Sequence, residues 1–314
     1  MAKKKSQLQI VAEFIPLWLI YHFMRRLKLR TAYRISRKLA VLLFRFDGRH
    51  RRRTIAHLLH AGVTSDPREA EATARLVFIN FAKTMVEICK IDQLFQLDKI
   101  RITGNEETKN LVGPGTGRNV IIVTAHYGNW ELAGKLWSTM TGIPIVSVMR
   151  RYDNPLIGKY IVQQRECPTH HCVPKDGSIK AMLKALRDGN NIAILADQHA
   201  THKEGVETVF FQQPCRTHSS PALLHLKTGV PIMPAITRRI DDEFRFEVIL
   251  GQLIQHPPTA DKEADIRAIA QQYTAELEQL IRREPEQWLW THRRWLNINR
   301  RGTTPPSLSE TSAE

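Results

Sequence analysis

With 314 residues, 42% of them hydrophobic, the chain can bury one large α/β core or two smaller ones, which excludes a wholly disordered protein. Forty-six Lys and Arg against 31 Asp and Glu leave a net charge of +15, so the favoured partners are anionic: nucleic acid, anionic lipid or acidic protein. Cys89, Cys167, Cys172 and Cys215 are too few and too scattered for a disulfide framework, which places the catalytic part in a reducing compartment such as the cytoplasm.

Lys3, Lys4 and Lys5 precede an apolar run from Leu8 to Met24 with no small-residue cleavage site after it. The run contains Glu13 and Pro16, is shorter than a clean bilayer span, and ends in Arg25, Arg26, Lys28 and Arg30. It reads as an interfacial anchor or a marginal span, with Phe14, Trp18, Tyr21 and Phe23 at headgroup depth; a helix packed on the domain is the alternative. Helical spacing then continues to about Ile91, with Asp66-Pro67 opening the last of these helices. The cluster Arg49, His50, Arg51, Arg52, Arg53 fits either a solvated face or a phosphate or headgroup contact.

After Ile100-Arg101-Ile102, short β-rich runs alternate with amphipathic helical stretches. The spacing predicts strands at Val120–Thr124, Pro144–Met149, Ile192–Ala196, Pro231–Thr237 and Phe244–Leu250. The helices between them fall at Trp130–Met140, Asn154–Gln164, Ser178–Arg187 and Ser220–Lys227, the last two stopped by Gly189 and Gly229. Such alternation predicts an α/β fold with a mixed, mostly parallel central sheet and helices on both faces. A helix from about Ala264 to Arg283 precedes the aromatic-basic segment Trp288 to Trp295, and the Ser-, Thr- and Pro-rich tail reads as disordered. The organisation is then an anchor over residues 1–30, a helical lead-in over 31–98, an α/β domain over 99–300 and a tail over 301–314.

The most informative stretch is Val123-Thr-Ala-His-Tyr-Gly-Asn-Trp-Glu-Leu132, where an apolar strand delivers His126 into a glycine-containing turn that opens a helix. Ligands of open α/β sheets gather at the carboxyl ends of strands, where this histidine stands. Imidazole suits the removal of a hydroxyl proton near neutral pH, and a carboxylate on its second nitrogen would fix the tautomer; Glu131, in the first turn of the helix, is the candidate. The spacing alone equally allows a turn histidine followed by a carboxylate favoured by the helix dipole.

The chain resembles the late acyltransferases of lipid A biosynthesis, the lauroyl and myristoyl transferases. His126-Tyr-Gly-Asn-Trp-Glu131 is similar to the family's His-x4-Glu motif, and Arg150-Arg-Tyr-Asp-Asn154-Pro155 resembles its second motif. Ile194-Leu-Ala-Asp197-Gln198, Pro221 to Pro234 and Glu286 to Trp295 resemble the rest in order. Two stretches depart from it: Ala56-His-Leu-Leu-His-Ala-Gly62 replaces a usual Asn-Leu-Arg-x-x-Phe-Pro, and Arg151 a usual proline. The ordinary glycerol-phosphate acyltransferases differ more, with Asp in place of Glu131 and a Glu-Gly-Thr-Arg motif that this chain lacks.

The resemblance implies a glycerolipid acyltransferase-like fold, an acyl–acyl carrier protein donor with no resident cofactor or metal, and a phosphorylated glucosamine-disaccharide lipid acceptor. It implies His126 as base with Glu131 as its orienter, and Arg150, Asp197 and Asn129 as substrate-binding or supporting polar groups, with Asp197 able to pair with Arg150. The expected partners are an acidic carrier protein, an anionic glycolipid and the cytoplasmic face of the bacterial inner membrane, and the expected state is a monomer. The same chemistry on a mannosylated phosphoinositide or a lysophospholipid, and a non-catalytic membrane-binding shell, stay open. Cys167-Pro-Thr-His-His-Cys172 has zinc-type donors but no second pair of matching spacing, and Cys215 has no base specified for it. Trp288, Trp290 and Trp295 among His292, Arg293 and Arg294 suit a membrane interface; no recognition helix supports nucleic acid.

Overall fold

The computed structural model describes residues 5–111, 118–149, 151–175 and 177–296. The expected tail from 301 and Arg150 lie outside the described residues. Five helices come first: α1 (Gln7–Arg26), α2 (Leu29–Phe46), α3 (Gly48–His60), α4 (Pro67–Ile88) and α5 (Ile91–Leu94). Ser6 caps α1 in a reciprocal pair with Gln9, and Asp66 caps α4 with Pro67 in its first turn, as the sequence predicts. The α/β part follows as β1 (Ile100–Thr103), α6 (Glu106–Asn110), β2 (Ile121–Thr124), α7 (Trp130–Thr141), β3 (Ile145–Met149), α8 (Pro155–Arg165), β4 (His170–Pro174) and α9 (Ser178–Arg187). It continues through β5 (Asn191–Leu195), the hairpin β6 (Gly205–Phe210) and β7 (Gln213–His218), α10 (Ser220–Thr228), β8 (Ile232–Arg239), β9 (Phe246–Leu250) and α11 (Lys262–Arg282).

Seven strands form one sheet in the order β1-β9-β8-β2-β5-β3-β4, parallel except where β8 meets β9. The period of two in the strands serves two cores. Ile121, Val123, Ile192, Ile194, Ile232 and Ile236 face one layer with α9, α10 and α11. Ile122, Ile145, Met233, Ala235 and Val248 face the other, against Leu132, Leu136 and Trp137 of α7. Helices therefore cover both faces of a mostly parallel sheet, and β2 runs between β5 and β8 at its centre.

Two features differ from the sequence reading. Trp288, Trp290 and Trp295 lie inside the larger core and not at an interface, sharing it with Phe210 and Phe211 of the hairpin. Arg294 is buried beside them, donating to the carbonyls of Gln198 and Arg216 and to Thr217 Oγ1. In addition, no described helix is long and apolar enough to cross a membrane. Helix α1 packs on α8 through Phe14 and Tyr21 against Tyr160, and leaves Trp18, Leu19, Ile20 and Phe23 exposed.

Candidate active site

The register of the central strands decides what meets His126. Strands β2 and β5 are parallel with Thr124 opposite Leu195, so the residues two positions further along, His126 and Asp197, emerge side by side at the carboxyl edge of the sheet. His126 Nδ1 lies 2.8 Å from Asp197 Oδ1, and the backbone N–H of His126 donates to Asp197 Oδ2 at 2.8 Å. The chain then reverses through Gly128, whose φ of +54° is left-handed and whose missing Cβ would stand 2.0 Å from the Thr237 carbonyl. Backbone bonds from Gly128 to Gln287, from Asn129 to Thr237 and from Leu289 to His126 clamp this turn on both sides.

Asp197 is fully buried and receives further donors from the segment that follows α11. Trp288 Nε1 donates to Asp197 Oδ2 at 2.8 Å, and His292 Nε2 stands 3.5 Å from the same oxygen. Burial alone would raise the Asp197 carboxyl; the charge and hydrogen bond of His126, with His292 behind them, hold it well below the usual carboxylate range. For His126, burial disfavours the imidazolium, but the charge and hydrogen bond of Asp197, with a further contribution from Glu131, outweigh it and raise its pKa. Burial lowers that of His292 despite Asp197. An ionised Asp197 holds the proton of His126 on Nδ1 and leaves Nε2 as an acceptor, with Gln198 Nε2 approaching it to 3.4 Å.

Glu131 does not orient the histidine, contrary to the sequence reading. Asn129 starts α7, so Glu131 already belongs to its first turn and points across to α8. There it accepts Arg165 at two points, Nε to Oε2 and Nη2 to Oε1, both at 2.5 Å, and Trp130 Nε1 at 3.0 Å. The carboxylate on the imidazole is Asp197, whose two oxygens are engaged by His126 and Trp288. Asn129 likewise spends its side chain on protein partners. It is fully buried, its oxygen caps α7 at the Leu132 N–H, and its amide donates to Glu87 Oε2 at 2.9 Å. Arg150 lies outside the described residues; the described cation beside Glu131 is Arg165.

Trp288 and His292 escaped the sequence reading as site residues, because a Trp- and Arg-rich segment carries no signal of which side chain turns inward. His126, Asp197 and His292 bring ligand atoms within 4.8 Å of one another, the one such grouping among the described residues. Two of its members already use that proximity for their mutual hydrogen bond.

Two cavities meet at the Glu131–Arg165 pair. A narrow slot of about 80 Å³ runs between α7 and the sheet, past Trp130, Thr124 and Ala193. A larger cavity of about 630 Å³ is walled by Leu17 and Ile20 of α1, Leu39 and Leu43 of α2, and Phe81 and Met85 of α4. Its lining is almost wholly apolar, and Glu131, Arg165 and Tyr152 close its polar end. Trp130 links the two spaces to the base, with its ring 5.3 Å from that of His126 and stacked at 6.3 Å on Phe81.

Known proteins place this arrangement. Residues 1–297 match the family described as bacterial lipid A biosynthesis acyltransferase. Among curated proteins, the chain is 24% identical over 205 residues to phosphatidylinositol mannoside acyltransferase of Mycobacterium tuberculosis, covering 64% of this chain and 61% of the relative. Similarity to the enzyme of that name from Mycolicibacterium smegmatis is 24% over 184 residues, 57% and 58% of the two chains. To lipid A biosynthesis lauroyltransferase of Escherichia coli it is 25% over 179 residues, 57% and 56%. The matched stretch thus spans about three-fifths of the length of these relatives. Matched by the family model through every described residue, the chain belongs to the bacterial lipid A biosynthesis acyltransferases.

Proposed function

We propose that the protein transfers a fatty acyl group from an acyl carrier protein thioester to a hydroxyl of a lipid A precursor. The observation that carries this reading is His126 Nδ1 held by a fully buried Asp197 at 2.8 Å, with Nε2 left to accept a proton. His126 takes the proton of the acceptor hydroxyl as its oxygen attacks the thioester carbonyl. The C–O bond forms, the C–S bond breaks, and the proton passes from imidazolium to the departing thiolate. The acceptor supplies the nucleophile, so no serine or cysteine of the chain is acylated, and no resident cofactor or metal is required. Glu131 and Arg165 act as positioning residues, fixing α7 against α8 where the two cavities meet. The apolar cavity of about 630 Å³ receives the acyl chain, its polar end nearest the base. The net charge of +15 supports an acidic carrier protein and an anionic acceptor. The exposed apolar side chains of α1 and α2 support work at the cytoplasmic face of the inner membrane, by the protein as a monomer.

A second reading, a mannosylated phosphoinositide as acceptor, draws on the longer matched stretch shared with the M. tuberculosis relative, 205 residues against 179 for the E. coli lauroyltransferase. One assay separates the two. Detergent-solubilised protein and His126→Ala are incubated with labelled acyl carrier protein thioesters and either tetraacylated lipid A precursor or a phosphoinositide mannoside. A mass gain of one acyl group on the first acceptor, lost in the variant, supports the leading reading. Gain on the second alone transfers the assignment to it, and gain retained by folded His126→Ala removes the histidine from the reaction.

A further inference from the structure

The basic cluster of α3 lies between two features already described. Arg49 and Arg53 are one helical turn apart and so share a face of α3. Arg53 is half-buried, and its Nη1 donates to the Thr291 carbonyl at 2.9 Å, which seats α3 against the segment that carries His292. Arg293, two residues beyond Thr291, is exposed on the same segment. The bond from Arg53 to Thr291 thus brings together the two segments that carry Arg49, Arg53 and Arg293. Burial, and after it the charges of Arg293 and Arg49, push the Arg53 guanidinium down, as expected of like charges left together.

Asp47 offsets only part of this charge. Asp47, the acid that acts on Arg53, gives one oxygen to His50 Nδ1 at 2.6 Å and the other to the His50 N–H at 3.1 Å. Among the described residues no carboxylate forms an ion pair with Arg49, Arg53 or Arg293. Like charges held together lower stability, and a bound anion would relieve the repulsion.

Its surroundings suggest which anion. Helix α2 ends in exposed Leu42, Leu43 and Phe46 immediately before α3 begins, so an apolar surface ends where the cations start. On the other side, His292 follows Thr291, and its ring centroid is 6.0 Å from that of His126. A recessed guanidinium fixed by a backbone carbonyl suits a small tetrahedral oxyanion better than the convex face of a protein helix.

We propose that Arg49, Arg53 and Arg293 form a subsite for a phosphate ester carried by the lipid acceptor, seating its headgroup so that the hydroxyl reaches His126. This rests on the acyl-transfer reading and adds to it the part of the acceptor that is recognised.

The test uses the full chain with both exposed arginines replaced, Arg49→Gln together with Arg293→Gln, which leaves the bond from Arg53 to Thr291 in place. Calorimetric titration with inorganic pyrophosphate reads the anion site without turnover. Transfer kinetics are run with a phosphorylated acceptor and with the same acceptor after phosphatase treatment. Flotation is measured on phosphatidylcholine vesicles with and without phosphatidylglycerol. The subsite predicts weaker pyrophosphate binding and an acceptor KM raised about 10- to 100-fold, the span of one or two charge-assisted hydrogen bonds, with kcat kept. It also predicts an unchanged KM for the dephosphorylated acceptor and unchanged flotation. Unaltered pyrophosphate binding overturns the subsite whatever the kinetics. Equal rises in KM for both acceptors overturn it as well, and so does loss of flotation on phosphatidylglycerol vesicles, which assigns the arginines to bulk lipid. Wild-type protein that binds pyrophosphate but acylates neither acceptor refutes the acyl-transfer reading and not the anion site.

Discussion

His126 and Asp197 are 71 positions apart in the chain, and the contact between them sets the pH behaviour of the proposed reaction. The base acts when neutral, so activity is lost as pH falls through its pKa. Burial lowers that pKa and Asp197 raises it by more, which puts the acid limb of kcat/KM above the ordinary histidine value of about 6.5. Asp197→Asn removes the raising charge and keeps the burial. The limb should then move to lower pH while the plateau rate falls by about 10²- to 10⁴-fold, as when a base loses the group that fixes its tautomer. A pH–rate profile of the variant checks both, and an unmoved limb would separate Asp197 from the chemistry. The sequence shows both residues, yet it does not show which carboxylate meets the imidazole. Glu131 is five residues away along the chain, and Asp197 is one strand away in space; only the order of β2 and β5 tells them apart.

At the scale of elements, the active-site turn is held from behind by α4. Glu87, fully buried, accepts Arg239 of β8 at two points, the Tyr33 hydroxyl at 2.6 Å and the Asn129 amide, while Thr84 Oγ1 donates to the Gly128 carbonyl at 2.7 Å. The pair joins the helical lead-in to the sheet directly beneath the turn. Glu87→Ala should cost about 3–5 kcal/mol, because a buried guanidinium is left without its counterion, and should lower activity through the displaced turn. Denaturant unfolding measures the first; a loss below about 1 kcal/mol would mean that water replaces the carboxylate. Elements with a clear apolar rhythm were legible in the sequence to within two residues, β2, β3, β5, β8, β9 and α7 to α11 among them. Strands β1, β4, β6 and β7 were not among the predicted ones. The residues of β4 and β7 carry no apolar alternation, and their backbone partners come from β3 and β6.

Over the whole molecule, the apolar cavity and the exposed apolar side chains share one side. Leu39, Leu43, Phe81 and Met85 line the cavity and are also exposed, and Leu42 and Phe46 continue the surface along α2. The apolar cavity therefore lies against a surface that itself favours lipid, as the proposed reaction requires. Leu42→Ser with Phe46→Ser should lower partition onto phosphatidylcholine vesicles about tenfold or more, since each side chain gives up apolar burial on the order of 1 kcal/mol or greater, and should leave pyrophosphate binding intact. Flotation reads the outcome, and unchanged partition would move the contact surface elsewhere. The turn that carries His126 is clamped by residues near the other end of the described chain, Gln287, Trp288 and Leu289, with His292 beside Asp197. During translation the strand bearing His126 leaves the ribosome well before those four residues. Until they dock, the turn lacks its backbone partners from Gln287 and Leu289, and Asp197 lacks the indole donor of Trp288. The geometry proposed for the reaction is therefore complete only when the segment after α11 has docked on the turn.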